Sequence, residues 1–266
     1  RFLTPEEAST PDTALSALQS IEQRGHPWRG TTLTRTSWMD GLDIPTLAEK
    51  PESDVLFWVG CSGALVQRGV DTTRSMASVL KKAGIQFAVL GDEETCTGDP
   101  ARRLGNEYLF QMQAETNIET FKQYDVKKII TTCPHCFNTI KNEYPQLGGN
   151  YDVIHYTAFV GELLKDGKLK PTEAGIGKTG TVTYHDSCYL GRHNGEFGAP
   201  REIMSSIPGL DFVEMDRNQE RSFCCGAGGG QMWMEAEGER VNHMRTDQFL
   251  ETDAETVAGS CPLCIQ

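Results

Sequence analysis

The sequence predicts an α/β protein made of two pseudo-symmetric, repeated lobes, each with a small, mainly parallel sheet flanked by helices. Three observations carry this expectation. Nine cysteines fall into one pattern used twice, with equivalent positions at one offset to within a single place. Short apolar runs alternate with stretches of helical spacing in both halves. The length, 266 residues, has room for two ordinary domains with real cores.

The cysteines are Cys61, Cys96, Cys133, Cys136, Cys188, Cys224, Cys225, Cys261 and Cys264. The pairs Cys96/Cys224, Cys133/Cys261 and Cys136/Cys264 share the same separation, and Cys61/Cys188 is shorter by one place. Gly98/Gly226 and Pro134/Pro262 repeat the shared separation. Each copy reads as a lone cysteine, then Cys-x-Gly, then Cys-Pro-x-Cys. The middle x is Thr97 in the first copy and Cys225 in the second. A fixed internal offset means a repeated structural unit. It divides the chain into an N-terminal extension or linker over 1–50, a first lobe over 51–177 and a second over 178–266. The Gly-, Lys- and Pro-containing stretch 165–180 reads as the connection.

Within the first lobe, DVLFWVG is an apolar strand that runs to Cys61, and TTRSMASVLKKAG is a helix closed by a glycine. IQFAVLG is a second strand, followed by a helix from about Pro100 to Glu115. VKKIITT is a third strand that runs to Cys133, and His155 ends a further one. In the second lobe GTVTYHDS runs to Cys188, APREIMSSI is helical, LDFVEMD is strand-like, a charged helix spans about Glu235 to Leu250, and ETVAGS runs into Cys261. Strands alternating with helices make parallel sheets. Ligands of such sheets bind beyond the strands' carboxyl ends. The cysteines that follow strands are therefore expected to gather at one sheet edge in each lobe.

Composition excludes some functions. With 25 basic and 37 acidic residues the formal charge is −12, and no basic stripe offers itself to phosphates, so no nucleic-acid partner is expected. The longest apolar runs, such as VLFWVG, fall far short of the roughly 20 residues a helix needs to cross a bilayer. No signal-peptide pattern opens the chain. It starts at Arg1 and stops shortly after Cys264, which reads as a piece of a longer protein. Nine thiols in this setting point to metal or thiol chemistry rather than a disulfide framework.

Four chemistries compete for the thiols. Inert buried cysteine needs no repeat spacing. A zinc site takes four thiolates, whereas the second lobe has five, and the two Cys-x-x-Cys pairs lie in different lobes. A thioredoxin-like centre would use Cys133-Pro-His-Cys136 but has no need of the upstream cysteines. Iron–sulfur binding uses all of them. Pro134 and Pro262 suit a first helical turn. The glycines after Cys225 let the main chain approach inorganic sulfur. Adjacent Cys224 and Cys225 can reach neighbouring irons of one cluster.

This arrangement of Cys…Cys-Cys-Gly…Cys-Pro-x-Cys resembles the cysteine-rich CCG domain over about residues 55–266. That family includes the catalytic subunit of heterodisulfide reductase, iron–sulfur subunits of glycolate and glycerol-3-phosphate oxidation, and lactate-utilisation proteins. The stretches Tyr184 to Asn194 and Cys96 to Gln111 are most similar to membrane-associated electron-transfer-flavoprotein:quinone oxidoreductases and sulfite-reduction-complex proteins, and RGHPW (24–28) resembles the linker after their ferredoxin-like domain. The resemblance implies that Cys188, Cys224, Cys225, Cys261 and Cys264 hold a noncubane 4Fe–4S cluster. The first lobe departs from the pattern at Thr97. Its four thiols, Cys61, Cys96, Cys133 and Cys136, match the count for an ordinary 4Fe–4S cluster.

The resulting expectation is an iron–sulfur oxidoreductase module. It relays electrons from an electron-transfer flavoprotein or dehydrogenase subunit to a quinone or thiol acceptor. A membrane quinone-reducing subunit or segment lies outside this chain, and the location is cytoplasmic, at the membrane through such parts. The alternatives are a heterodisulfide or other disulfide reductase, and a zinc-binding scaffold. Further candidates are His185 as a donor to sulfur or a ligand, His135 as a tuning residue, and His155 lining the same face. Arg102, Arg103 and Arg192 would offset cluster charge. Met232, Trp233 and Met234 would cover the cluster, and Glu235 to Glu239 would open a helix.

Overall fold

The computed structural model describes residues 10–172, 180–234 and 238–266. Two parallel sheets organise it. In the first, β1 (Val55–Trp58) lies between β2 (Phe87–Ala88) and β3 (Lys128–Thr131), and β4 (Asp152–His155) adds to the far side of β3, giving the order β2-β1-β3-β4. In the second, β5 (Thr181–His185) lies between β6 (Asp211–Val213) and β7 (Thr256–Gly259). The repeat expected from the cysteines is thus a repeat of topology: a central first strand, its second strand on one side and its third on the other.

The sequence explains the first sheet directly. All four residues of β1 are buried, as a strand covered on both faces requires. Leu56 and Trp58 point into one core with Ile129 of β3, Phe110, Ile118 and Phe121 of α5 (Glu107–Gln123) and Ile21 of α1 (Asp12–Arg24). Val55 and Phe57 point into the opposite core with Met76, Ala77 and Leu80 of α3 (Gln67–Lys82). A short α2 (Gly60–Leu65) starts right after β1 and carries Cys61 in its first turn.

Where the sequence predicts one helix from Pro100 to Glu115, there are two. Helix α4 (Asp99–Arg103) stops before Gly105, and α5 restarts at Glu107, with the Asn106 side chain accepting from Leu109 N. An asparagine N-cap three places before a donor amide is a start signal in its own right. After β3, Pro134 takes the first position of α6 (Pro134–Asn138), which continues as one π-helical turn through Glu143. The charged helix of the second lobe is α9 (Val241–Leu250), starting later than Glu235. Residues 235–237 of the acidic stretch and 173–179 of the connection lie outside the described residues. Helix α7 (Tyr156–Lys165) leaves β4 and packs on α8 (Gly198–Ser205) of the second half, with Lys165 bonded to Glu202 at 2.8 Å. No helix among the described residues is long and apolar enough to cross a membrane.

Candidate metal centre

The strand ends deliver the thiols as the spacing predicts. All nine cysteines are free. In the second lobe the sulfurs form one continuous string. Cys188 neighbours Cys224, Cys224 neighbours Cys225, Cys264 donates to Cys225 with 3.0 Å between sulfurs, and Cys264 neighbours Cys261. The adjacent cysteines thus face different neighbours, Cys224 toward Cys188 and Cys225 toward Cys264. In the first lobe Cys61 pairs with Cys96 and Cys133 with Cys136, and the charges of Cys61 and Cys136 act on one another's pairs.

Sulfurs this close cannot all ionise independently. Cys61 is held down to about 6, chiefly by the Cys96 S–H, while its bond to Cys61 pushes Cys96 well up. Cys224 is held far below the usual thiol value by the Cys188 and Cys225 S–H groups, outweighing its burial, with Gly226 N adding a bond at 3.3 Å. Cys261 is likewise lowered, first by Cys264 and then by His135. Each lobe therefore holds a thiol drawn toward the thiolate, the form that binds metal.

Buried carboxylates hold the loops in place. Glu94 accepts Val59 N at 3.0 Å and Gly60 N at 2.7 Å and bonds Arg35 at 3.1 Å, tying the Cys96 loop to the Cys61 turn. Its burial still pushes its carboxyl up to about 7. In the second lobe Asp186 accepts both terminal nitrogens of Arg201, at 2.8 and 2.9 Å, and Gln219 N at 2.7 Å. Ser222 donates to the Asp186 carbonyl, so the Cys188 loop and the Cys224 loop move together.

Gly98 and Gly226, equivalent in the repeat, both have left-handed φ, +86° and +79°. That conformation is costly for residues with a Cβ. The rest of the glycine run serves a different purpose from the expected one. A Cβ at Gly228 would lie 2.4 Å from His135 Nε2, and one at Gly230 would lie 2.7 Å from Leu104. These positions let the two lobes touch.

The remaining candidates divide. His135 is buried, with Nδ1 2.9 Å from Asp99 Oδ2, and it neighbours Cys261 across the lobe boundary, helping to lower that thiol. Burial opposes its protonation, but the Asp99 carboxylate outweighs burial and holds the ring well above its ordinary pKa. Arg103 bonds Asp99 at 3.1 Å and Glu143, and Arg102 bonds Glu143 at 2.8 Å, so both are taken up by carboxylates. Arg192 is exposed, and its charge helps to lower Cys224. Met232 and Met234 line a cavity of about 590 Å³ with Cys224, Cys225 and Cys264, whereas Trp233 packs on Trp28 at 5.6 Å. His155 bonds Thr157 and packs on Phe137 and Tyr156, beside the main chain of Thr132 and Ser260. His185 is buried near Cys225 and Cys264 and is bonded by Arg245. Sequence reasoning misses Asp99, Asp186, Glu94, Arg245 and the tryptophans Trp28 and Trp58 beside Cys61 and Cys136. For Trp58 a signal exists: it is separated from His185 by the same offset that separates Cys61 from Cys188.

The donor set fits an iron–sulfur group on the structure's own terms. Five contiguous sulfurs exceed a tetrahedral zinc site. Buried N–H groups without ordinary partners among the described residues, on Trp28, Trp58, His185 and Arg245, belong to residues that border the thiols.

The model of the cysteine-rich domain, CCG, matches residues 55–141 and 182–266. The chain is 45% identical over 273 residues to the probable iron–sulfur-binding oxidoreductase FadF of Bacillus subtilis, covering 100% of this chain and 38% of that protein. It is 40% identical over 279 residues to the EtfAB:quinone oxidoreductase of Syntrophomonas wolfei, with 100% and 38% covered. It is 36% identical over 251 residues to a subunit of the dihydromethanophenazine:CoB–CoM heterodisulfide reductase of Methanosarcina barkeri, with 92% and 59% covered. The chain spans less than two fifths of the first two relatives and about three fifths of the third.

Proposed function

From a chain that belongs to the cysteine-rich CCG-domain family, and carries that domain twice, we propose an iron–sulfur oxidoreductase module that relays electrons. The observation that carries this reading is the string of five sulfurs in the second lobe beside a separate set of four in the first. Cys188, Cys224, Cys225, Cys261 and Cys264 would hold a noncubane 4Fe–4S cluster. Cys61, Cys96, Cys133 and Cys136 would hold a second 4Fe–4S cluster. The clusters would supply one-electron chemistry. The chain's residues hold thiolates ready, exclude water and offer N–H donors to sulfur.

The lobes divide at about residue 177, with 51–177 and 178–266 as units. The donor is a flavoprotein or dehydrogenase subunit and the acceptor a quinone or thiol, the quinone in keeping with the name of one relative, the EtfAB:quinone oxidoreductase. Parts outside this chain would bring it to a membrane. A second reading, disulfide reduction, is favoured by the cavity that opens on Cys225 and Cys264. Thr97 weighs against it, because it removes the fifth thiol from the first lobe and leaves unequal sets.

The deciding experiment is iron and acid-labile sulfide per chain on anaerobically purified protein, with EPR after mild oxidation. About eight irons are expected, four for each cluster. Cys225→Ser should alter the second-lobe signal alone. Stoichiometric zinc without iron would overturn the proposal. A thiol-disulfide substrate that perturbs the second-lobe signal would favour the second reading.

A further inference from the structure

Two buried N–H groups line the same cavity as Cys224, Cys225 and Cys264, and neither has a partner among the described residues. They are His185 Nε2 and Arg245 Nη2, on residues only 6% and 5% exposed. A buried donor left unsatisfied costs about 1–3 kcal/mol, so an acceptor is called for. Geometry fixes where the ring hydrogen sits. Arg245 Nε donates to His185 Nδ1 at 3.0 Å, and a guanidinium has no acceptor to offer in return. Nδ1 therefore carries the lone pair, and the hydrogen is on Nε2. Arg245 is held in turn by the Arg217 carbonyl at 2.8 Å and Gln248 Oε1 at 2.7 Å. A ring nitrogen of His185 lies within 4.8 Å of the Cys225 and Cys264 sulfurs.

The repeat supplies an independent observation. His185 and Trp58 are equivalent under the offset that relates Cys188 to Cys61, and each ends the central strand of its sheet. Trp58 is fully buried, and its indole N–H lies beside Cys136 Sγ without closing a bond of ordinary geometry. Cys136 is the repeat equivalent of Cys264. An indole N–H donates and cannot ligate a metal.

We propose that the strand-end ring of each lobe is a built-in N–H donor to the sulfur shell of its cluster, and that His185, oriented by Arg245, acts as this donor and not as an iron ligand. The inference rests on the iron–sulfur reading. Hydrogen bonds to cluster sulfur stabilise the more negative, reduced state and raise the potential. His185 is thus a positioning residue for charge, with Arg245 setting its tautomer.

The test uses the whole chain, purified anaerobically with its iron, and nitrogen-15-labelled at histidine. Pulsed EPR on the second-lobe signal, in water and in deuterium oxide, should show a weak nitrogen coupling and an exchangeable proton coupling. Both should vanish in His185→Leu. Potentiometric titration should move that signal to more negative potential in His185→Leu. His185→Gln, which keeps an N–H, should restore most of the shift. A strong coupling from a directly bonded nitrogen overturns the inference, and so does an intact cluster in His185→Leu with unchanged potential. Either result leaves the iron–sulfur reading standing. The unsubstituted protein decides the first point even if a variant does not fold. A wild-type chain without iron sinks the parent reading itself.

Discussion

Gly228→Ala measures how tightly the lobes are locked. A Cβ at this position lies 2.4 Å from His135 Nε2 and 2.6 Å from its Cε1, about 1 Å inside normal contact. The ring has no room to retreat. Its Nδ1 is fixed by Asp99 at 2.9 Å, and its face lies on Tyr189 with centroids 4.0 Å apart. Overpacking a site of this kind costs about 1–3 kcal/mol. The expected loss is therefore about 1–3 kcal/mol, read by equilibrium denaturation of the chain. His135→Ala and the double variant complete a cycle. Without the imidazole the new methyl has space, and its cost should fall below about 0.5 kcal/mol, the usual scale for an unencumbered change. A single variant as stable as the parent, or an equal cost in both backgrounds, refutes the contact and with it the locking role of the glycine run.

Other consequences can be measured in the same preparations. Asp99→Asn leaves the buried imidazolium without its counter-charge and should cost about 3 kcal/mol in denaturation midpoint analysis. His155 is held neutral, its pKa lowered by burial to about 3. Its contribution to stability is therefore fully present above the ordinary histidine pKa of about 6.5 and lost as pH falls from there toward 3. Between about pH 7.5 and 5 the chain should lose about 2 kcal/mol that His155→Gln does not lose, and parallel pH profiles would contradict this. Gly98→Ala puts a Cβ within 2.9 Å of Phe110 at a φ of +86° and should lower stability by at least about 2 kcal/mol in thermal melts. Thr97→Cys restores the missing thiol of the first lobe. It should change the first-lobe EPR signal and leave the second-lobe signal as it was.

Much of this architecture is legible because its signals are local. Val55 to Trp58 is a continuous apolar run, and the cysteines keep their offset, so the strands, their parallel pairing and the grouping of the thiols by lobe follow from the chain alone. The break between α4 and α5 is also written locally, in Gly105 and Asn106, but the apolar spacing runs through it and masks it. The polar scaffolding is a different matter. Asp99 with His135, Arg245 with His185 and Asp186 with Arg201 join residues far apart in the chain. Periodicity carries no trace of such pairs, because each is set by where loops meet beyond the sheet. The glycine run suggests metal access when met as sequence, yet Gly228 and Gly230 answer to side chains of the other lobe, which no spacing rule within one repeat exposes.

The approach of His135 to Cys261 makes the two lobes unequal. The repeat equivalents of Asp99 and His135 are Ala227 and Leu263, so the second lobe has no imidazole at that place to face Cys133. Two copies of one unit meet with an imidazole on one side and a thiol on the other. Each sulfur set then sits in its own electrical surroundings.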